Sequence, residues 1–510
     1  MIERLPEVLR PEQYKSLTDV YDYVAREHGE RDAYYCLGKT LSYCDIDRLS
    51  TRFAAYLQQS GNLQPGDRIA IQLPNLLQFP VVLMGAVKAG LIVVNTNPLY
   101  TAKEMAHQFS DSGAKAIVIL SAFCDKLQQI LPQTEIETVI ITELGDLQSP
   151  LKRQLLNFAA RYLKKAVPNY QLPGSKKLLD CLNNQFEFDE APGRARGGKD
   201  PAVLLYTGGT TGVSKGAMLS HSNLIANMMQ LRSRCLLIID DKTEVIGAPL
   251  PLYHSYAFLL HCLAMPYAGN LNLLMPNPRD IDSVVGLFKK FKVSGFVGIN
   301  TLFLALLRHK EFASLDFSHL KFCGAGGMAL STSVAKEWVE LTGCEIFEGY
   351  GLTECSPVVS VNIPGDVRYG TVGRLVPETE IKVVNEDGEQ YLSVSECDAA
   401  LSTAFIVITL AILLAASCVI QCLVKRHKRA MKVASENLPR VSKVGLRQFI
   451  GKVCYVHCLN GSLCCTVGAR TGAKEKGGRG RDGFVLPSSV SFVCVQYDVR
   501  HPLPFQLFLL

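Results

Sequence analysis

A strong charge of either sign is missing from the first 390 residues, which removes one class of partner. Of the 53 Lys and Arg, 15 fall from Tyr391 onward against 6 Asp and Glu, leaving 38 against 41 before that point. The formal charge of +6 therefore belongs to the tail, and the body offers no basic face for nucleic acid. Metal-ligand spacing is also lacking. Nine of the 17 cysteines are scattered through the first 390 residues, a pattern that fits reduced thiols in a cytosolic protein. The opening MIERLPEVLRPEQYKSL is polar, without a charged-then-apolar leader, so no secretory signal is expected. From Val245 to Pro278 there is no Asp, Glu, Lys or Arg at all. Pro249, Pro251, Pro266 and Pro276 exclude a continuous spanning helix there. This interval is either plain core or the wall of an apolar ligand pocket lined by His254, Tyr256 and Phe258.

What is present reads as an α/β protein. At 510 residues the chain has ample length for a buried core and for two or more domains. Apolar runs at Arg68–Leu73, Leu91–Val94, Ala116–Leu120, Thr138–Thr142, Val245–Ile246, Leu271–Met275, Gly295–Ile299, Leu320–Cys323 and Glu345–Phe347 predict strands. Helical patterns separate them, one of them over Phe79–Lys88. Alternation of this kind implies parallel sheet with helices on its faces, and ligands at the carboxyl ends of the strands. One interval differs. Leu151–Val167 puts Leu155, Phe158, Tyr162 and Leu163 near one face, with Lys152, Arg153, Arg161, Lys164 and Lys165 toward others. A basic amphipathic helix can lie on an anionic membrane, though a surface helix of the fold is the commoner meaning of such a pattern.

Two stretches carry chemistry. YTGGTTGVSKG, Tyr206–Gly216, follows the apolar Val203–Leu205 and precedes a segment opening at Ser220 with cap-type residues. That order predicts strand, loop, then helix. Glycines there let backbone N–H groups approach a polyphosphate, with hydroxyls from Thr207, Thr210, Thr211 and Ser214 and a charge from Lys215. It is not a Walker A loop, because Gly216 follows Lys215 where Ser or Thr is needed. EGYGLTE, Glu348–Glu354, sets Tyr350 between two glycines, where the ring can stack on a flat base. Thr353 and Glu354 add hard oxygen ligands of the kind magnesium-phosphate prefers.

Together with PLYHSYAF, and with LQPGDRIAIQLPNLLQFPV, GLIVVNTNPLYT, NPRDI, GINTLFLALL and EGYGLTECSPVVSVN around them, these motifs resemble the ANL superfamily of adenylate-forming enzymes. The likeness is greatest to bacterial long-chain fatty-acid–CoA ligases and runs from about Pro11 to about Gln390. It implies an N-terminal domain of stacked mixed sheets with flanking helices (αβαβα) over 1–390. It also implies a two-step reaction: a carboxylate attacks the α-phosphate of ATP to give acyl-AMP and pyrophosphate, then the CoA thiol displaces AMP. The resemblance gives Thr207, Gly208, Gly209, Thr210, Thr211, Gly212 and Lys215 the phosphates, and Gly349, Tyr350 and Gly351 the adenine. Thr353 would face the α-phosphate, Glu354 and Thr210 would hold Mg²⁺, and His254 would sit beside the acyl carboxylate. Tyr256, Phe258, Gly324, Ala325, Gly326 and Gly327 would border the substrate. Thr210, Lys215, His254 and Glu354 form the catalytic set. No carboxylate follows PLYH to pair with an ammonium, which favours an apolar acyl chain over an amino acid. The expected partners are fatty acid, ATP and CoA.

Near Gln390 the likeness stops. The glycine-rich GEL segment, the aromatic-x-Thr-Gly-Asp motif and the lysine-bearing domain of relatives are not found in 391–510. Instead, Ala399–Val424 is uncharged for roughly 26 residues, enough to span a bilayer, and Lys425-Arg-His-Lys-Arg429 follows. Composition, charge and cysteine density change at one point, which suggests a frameshifted, mis-spliced or wrongly joined tail. The expectations are an impaired cytoplasmic ligase, peripheral at the inner membrane, or an integral protein where the 399–424 helix is genuine. A non-catalytic, membrane-tethered acyl- or nucleotide-binding protein and an acyl-AMP ligase loading a carrier protein are the alternatives.

Overall fold

The computed structural model describes residues 10–207, 213–235, 238, 240–384, 390–393, 455–459, 462–466 and 505–509. It divides into two compact units, residues 1–209 with 214–370, and residues 210–213 with 371–510.

Strands of the first unit are β1 (Asp32–Cys36), β2 (Lys39–Ser42), β3 (Arg68–Gln72), β4 (Ile92–Asn95), β5 (Ala114–Leu120), β6 (Thr138–Thr142), β7 (Lys176–Lys177), β8 (Pro201–Thr207), β9 (Lys215–Ser220), β10 (Val245–Ala248), β11 (Leu271–Leu274), β12 (Gly295–Gly298), β13 (Phe322–Ala325), β14 (Ile346–Gly351) and β15 (Val358–Val361). They form two sheets. One runs β15-β14-β13-β12-β10-β11-β1-β2 within this unit, and the other β7-β6-β5-β3-β4-β8-β9. Neighbours inside each sheet are parallel. The pairs β1/β2, β14/β15 and β8/β9 are antiparallel. The sheets are therefore mixed, and both glycine-rich motifs sit on antiparallel pairs.

Local chemistry fixes the helices. Ser42 and Thr101 cap theirs reciprocally: Asp45 N donates to Ser42 Oγ at 3.1 Å, and Thr101 N to Glu104 Oε2 at 2.8 Å, leaving fewer orphan N–H groups in the first turn. The helix Gln78–Lys88 is buried on every side. Its lysine is tolerated because Lys88 Nζ reaches Asp47 Oδ1 at 2.5 Å and Thr51 Oγ1 at 2.9 Å. Around the first sheet, Phe296, Phe303, Phe312 and Trp338 build an aromatic core, with Phe303 edge-on to Trp338 at 4.8 Å.

In the second unit Thr379–Val384 lies between Gln390–Ser393 and Phe505–Leu509, and Tyr455–Leu459 pairs with Ser462–Thr466. The stretch 399–424 lies outside the described residues. Among those described, no helix is long and apolar enough to cross a membrane.

Candidate active site

The loop of YTGGTTGVSKG joins β8 to β9, and the expected helix begins only at His221 after β9. This corrects the strand–loop–helix order: the strand β9 intervenes, pairing antiparallel with β8 in register Thr207 opposite Lys215 and Tyr206 opposite Gly216. Gly208, Gly209, Thr210, Thr211 and Gly212 lie outside the described residues. Their flanks are anchored. Tyr206 Oη donates to Asp111 Oδ2 at 2.6 Å, and His107 Nε2 bonds the Ser214 carbonyl at 2.8 Å. Gly216 is small because the Tyr206 ring lies across it, 3.0 Å from where a Cβ would stand. Lys215 is exposed.

EGYGLTE is split by the fold. Glu348, Gly349, Tyr350 and Gly351 belong to β14 itself, and Thr353–Cys355 form a short 3-10 turn before β15. A Cβ on Gly351 would collide with the Pro357 carbonyl oxygen. This turn meets the two other motifs. Thr207 Oγ1 donates to Glu354 Oε1 at 3.4 Å, and the Ser255 and Thr353 hydroxyls share a hydrogen bond of 3.1 Å.

PLYHSYAF supplies one wall of a cavity. Its free space of about 750 Å³, part of it open to solvent, is lined by His254, Ser255 and Tyr256, by Gly324, Ala325, Gly326 and Gly327, and by Gly349, Tyr350 and Gly351. Tyr256 lies across the end of β13: a Cβ at Gly324 would stand 2.9 Å from its hydroxyl, and one at Gly326 3.3 Å from its ring. Leu231, Leu260, Phe322, Phe347 and Val361 make the remaining wall largely apolar, and among the described residues no carboxylate lines it. Phe258 does not reach the cavity. It is fully buried in the π-helical turn Phe258–Ala264, as core. Thr207, Lys215, Thr353 and Glu354 lie outside the lining as well.

Electrostatics at the site follow burial. His254 is exposed at the cavity, yet enough protein surrounds it to hold its imidazole pKa below the usual value. Its Nδ1 accepts from Tyr256 N at 3.4 Å, a long and therefore weak bond. Glu348, buried on β14, has its carboxyl pushed up to about 7 by desolvation, although Leu330 N donates to it at 2.8 Å. Several residues here were not singled out from sequence. Ser255 and Asn362 fall inside quoted motifs without a role. Arg234, which also lines the cavity, gave no signal, since a lone arginine on a helix is ordinarily solvated.

A sequence profile described as AMP-binding enzyme matches residues 21–396, which takes in all three motifs and every residue that lines the cavity. The chain belongs to the AMP-binding enzyme family. Among curated members of that family, it is 42% identical over 388 residues to the long-chain-fatty-acid–CoA ligase of Salmonella typhimurium, covering 76% of this chain and 69% of the relative. It is 44% identical over 380 residues to that of Haemophilus influenzae, covering 74% and 67%. Among solved structures, the anthranilate CoA ligase AuaEII in complex with anthranoyl-AMP superposes with a TM-score of 0.65 at 20% identity, covering 75% of this chain and 69% of that one. Such a likeness fixes the fold: the α/β layers of an AMP-binding enzyme.

Proposed function

We propose that the chain is built as a long-chain fatty-acid–CoA ligase that forms acyl-AMP from ATP and a fatty acid and passes the acyl group to CoA. The observation that carries this reading is one largely apolar cavity walled by three segments far apart in sequence, 254–256, 324–327 and 349–351. An amino acid would bring an ammonium with no carboxylate to meet it there, and an unpaired buried charge is costly. Alkyl chains gain about 0.8 kcal/mol per buried methylene against such walls.

On this reading Tyr350 and the flanking Gly349 and Gly351 accept the adenine face, and Thr353 and Ser255, already bonded to each other, present hydroxyls where the carboxylate and α-phosphate meet. His254 stays neutral at pH 7 and can donate one hydrogen bond to the carboxylate without adding charge. The family implies Mg²⁺, and the Glu354 carboxylate beside the Thr207 hydroxyl is a fitting pair of hard oxygen donors. Together they would hold the ion, which neutralises phosphate charge when bound. Residues 391–510 carry neither the ribose-binding Asp motif nor the lysine motif of relatives, so the expected outcome for these 510 residues expressed alone is weak adenylation and no thioester formation.

Titration with oleoyl-sulfamoyl-adenosine, a stable mimic of oleoyl-AMP, tests the binding half. Saturable binding at least about a hundredfold tighter than that of the acetyl homologue is expected from the buried methylenes. Equal affinity for the two would overturn the long-chain assignment. Oleate-dependent pyrophosphate exchange and oleoyl-CoA formation, measured separately, then locate the impairment; normal turnover of both refutes it.

A further inference from the structure

The segment 150–163 is an amphipathic helix docked by its polar side. An α-helix over Pro150–Phe158 continues as a π-helical turn over Ala159–Leu163, and none of these residues is buried. Asn157 and Arg161, one turn apart, face the protein. Asn157 Oδ1 accepts from Gly145 N at 2.8 Å, its Nδ2 donates to Glu143 Oε2 at 3.0 Å, and Arg161 pairs with Glu143 at 2.8 Å. The opposite stripe is Leu151, Leu155, Phe158 and Tyr162, spaced by four, three and four residues. These side chains are 71, 60, 55 and 61% exposed. A fold using this as an ordinary surface helix would bury that row and leave Asn157 and Arg161 to water.

We propose that this helix is an interfacial anchor for an anionic bilayer, seating Leu155, Phe158 and Tyr162 among the acyl chains. Charge selects the occupant. Between Asp146 and Asp180 the sequence has seven Lys and Arg and no acid. Lys164 and Lys165 stand exposed at the end of the apolar row; Lys164 is near enough to Asp280 to help lower that carboxyl's pKa. A second copy docking face to face would set these cations against themselves. Lipid phosphates satisfy them while the membrane takes the apolar row, and Phe158 and Tyr162, with ring centroids 5.0 Å apart, suit the headgroup boundary.

Phe158→Trp in the full chain reads this directly, because the native Trp338 is fully buried and gives a constant background. With phosphatidylcholine vesicles containing phosphatidylglycerol and brominated acyl chains, the emission is expected to shift blue and be quenched. Replacing both Lys164 and Lys165 with Gln should weaken this partitioning about thirtyfold, as two surface lysines predict, and added salt should weaken it too. Three results overturn the proposal. One is water-like emission from the introduced indole on a chain that sediments with the vesicles, which means that another segment such as 399–424 binds them. Another is equal quenching on pure phosphatidylcholine. The third is a blue shift that grows with protein concentration in the absence of lipid, the sign of self-docking.

Discussion

At the residue scale, the cavity depends on what glycine leaves out. Tyr256 can lie over the end of β13 only because Gly324 and Gly326 present no Cβ. Gly324→Ala would put a methyl 2.9 Å from the Tyr256 hydroxyl, 3.1 Å from Val297 Cγ1 and 3.2 Å from Phe322 Cζ. Overpacking of this kind costs about 1–3 kcal/mol. The hydroxyl is the nearest atom, so Tyr256→Phe placed on Gly324→Ala should recover part of the loss in urea stability and in acyl-adenylate-mimic affinity. Recovery stays partial because Val297 and Phe322 remain. Purely additive effects of the two substitutions would mean that Tyr256 does not rest on Gly324.

At the scale of elements, the hairpin β8/β9 is the part least legible in the sequence. The helix start was readable: Ser220 and Asn223 bond each other's backbone N–H at 3.2 Å, and the helix begins at His221. The strand before it was not, because KGAMLS is an edge strand in which only Leu219 is buried, too little apolar content for period-two alternation. Parallel strands buried on both faces were legible, Thr138–Thr142 to the residue, since their β-branched runs leave few alternatives. The three site motifs could be read as strings, but Phe258 could not be told from a lining residue, as a charge-free run does not say which side chains turn inward. The helix at 150–163 was legible as amphipathic, yet its orientation was set by Glu143, well outside the pattern. One consequence is testable on the hairpin. Gly216→Ala brings a methyl to 3.0 Å from the Tyr206 ring and must disturb the Tyr206–Asp111 bond. A loss of about 1–2 kcal/mol is expected, and a much smaller one in a Tyr206→Ala background. Equal losses in both backgrounds would show that the ring does not constrain the turn.

For the first unit as a whole, buried titratable groups set a balance with pH. His221 and His261 are held neutral, each with its pKa lowered to about 4 by burial. His221 Nδ1 accepts from Leu17 N at 3.1 Å, and His261 Nδ1 bonds Asn272 Oδ1 at 2.9 Å. A folded pKa below the ordinary 6.5 means that the unfolded chain binds these protons more readily. Their stabilisation is complete above pH 6.5 and is lost as pH falls toward 4, on the order of 3 kcal/mol for each. Glu348 works in the other direction. Its folded pKa of about 7 lies above the ordinary 4.5, so its contribution is complete below 4.5 and is lost as pH rises through 7. Between pH 7 and 5 the glutamate therefore offsets part of what the histidines lose. Glu348→Gln retains a carbonyl oxygen for Leu330 N and removes that offset. Unfolding in urea followed by Trp338, the single tryptophan of the chain, should show the variant more stable than the parent at pH 8, by up to about 3 kcal/mol. Its stability should then fall more steeply than the parent's as the pH is lowered to 5, until the two curves meet near 4.5. Parallel curves across this range would place the glutamate's proton elsewhere and leave the acid lability to the histidines alone.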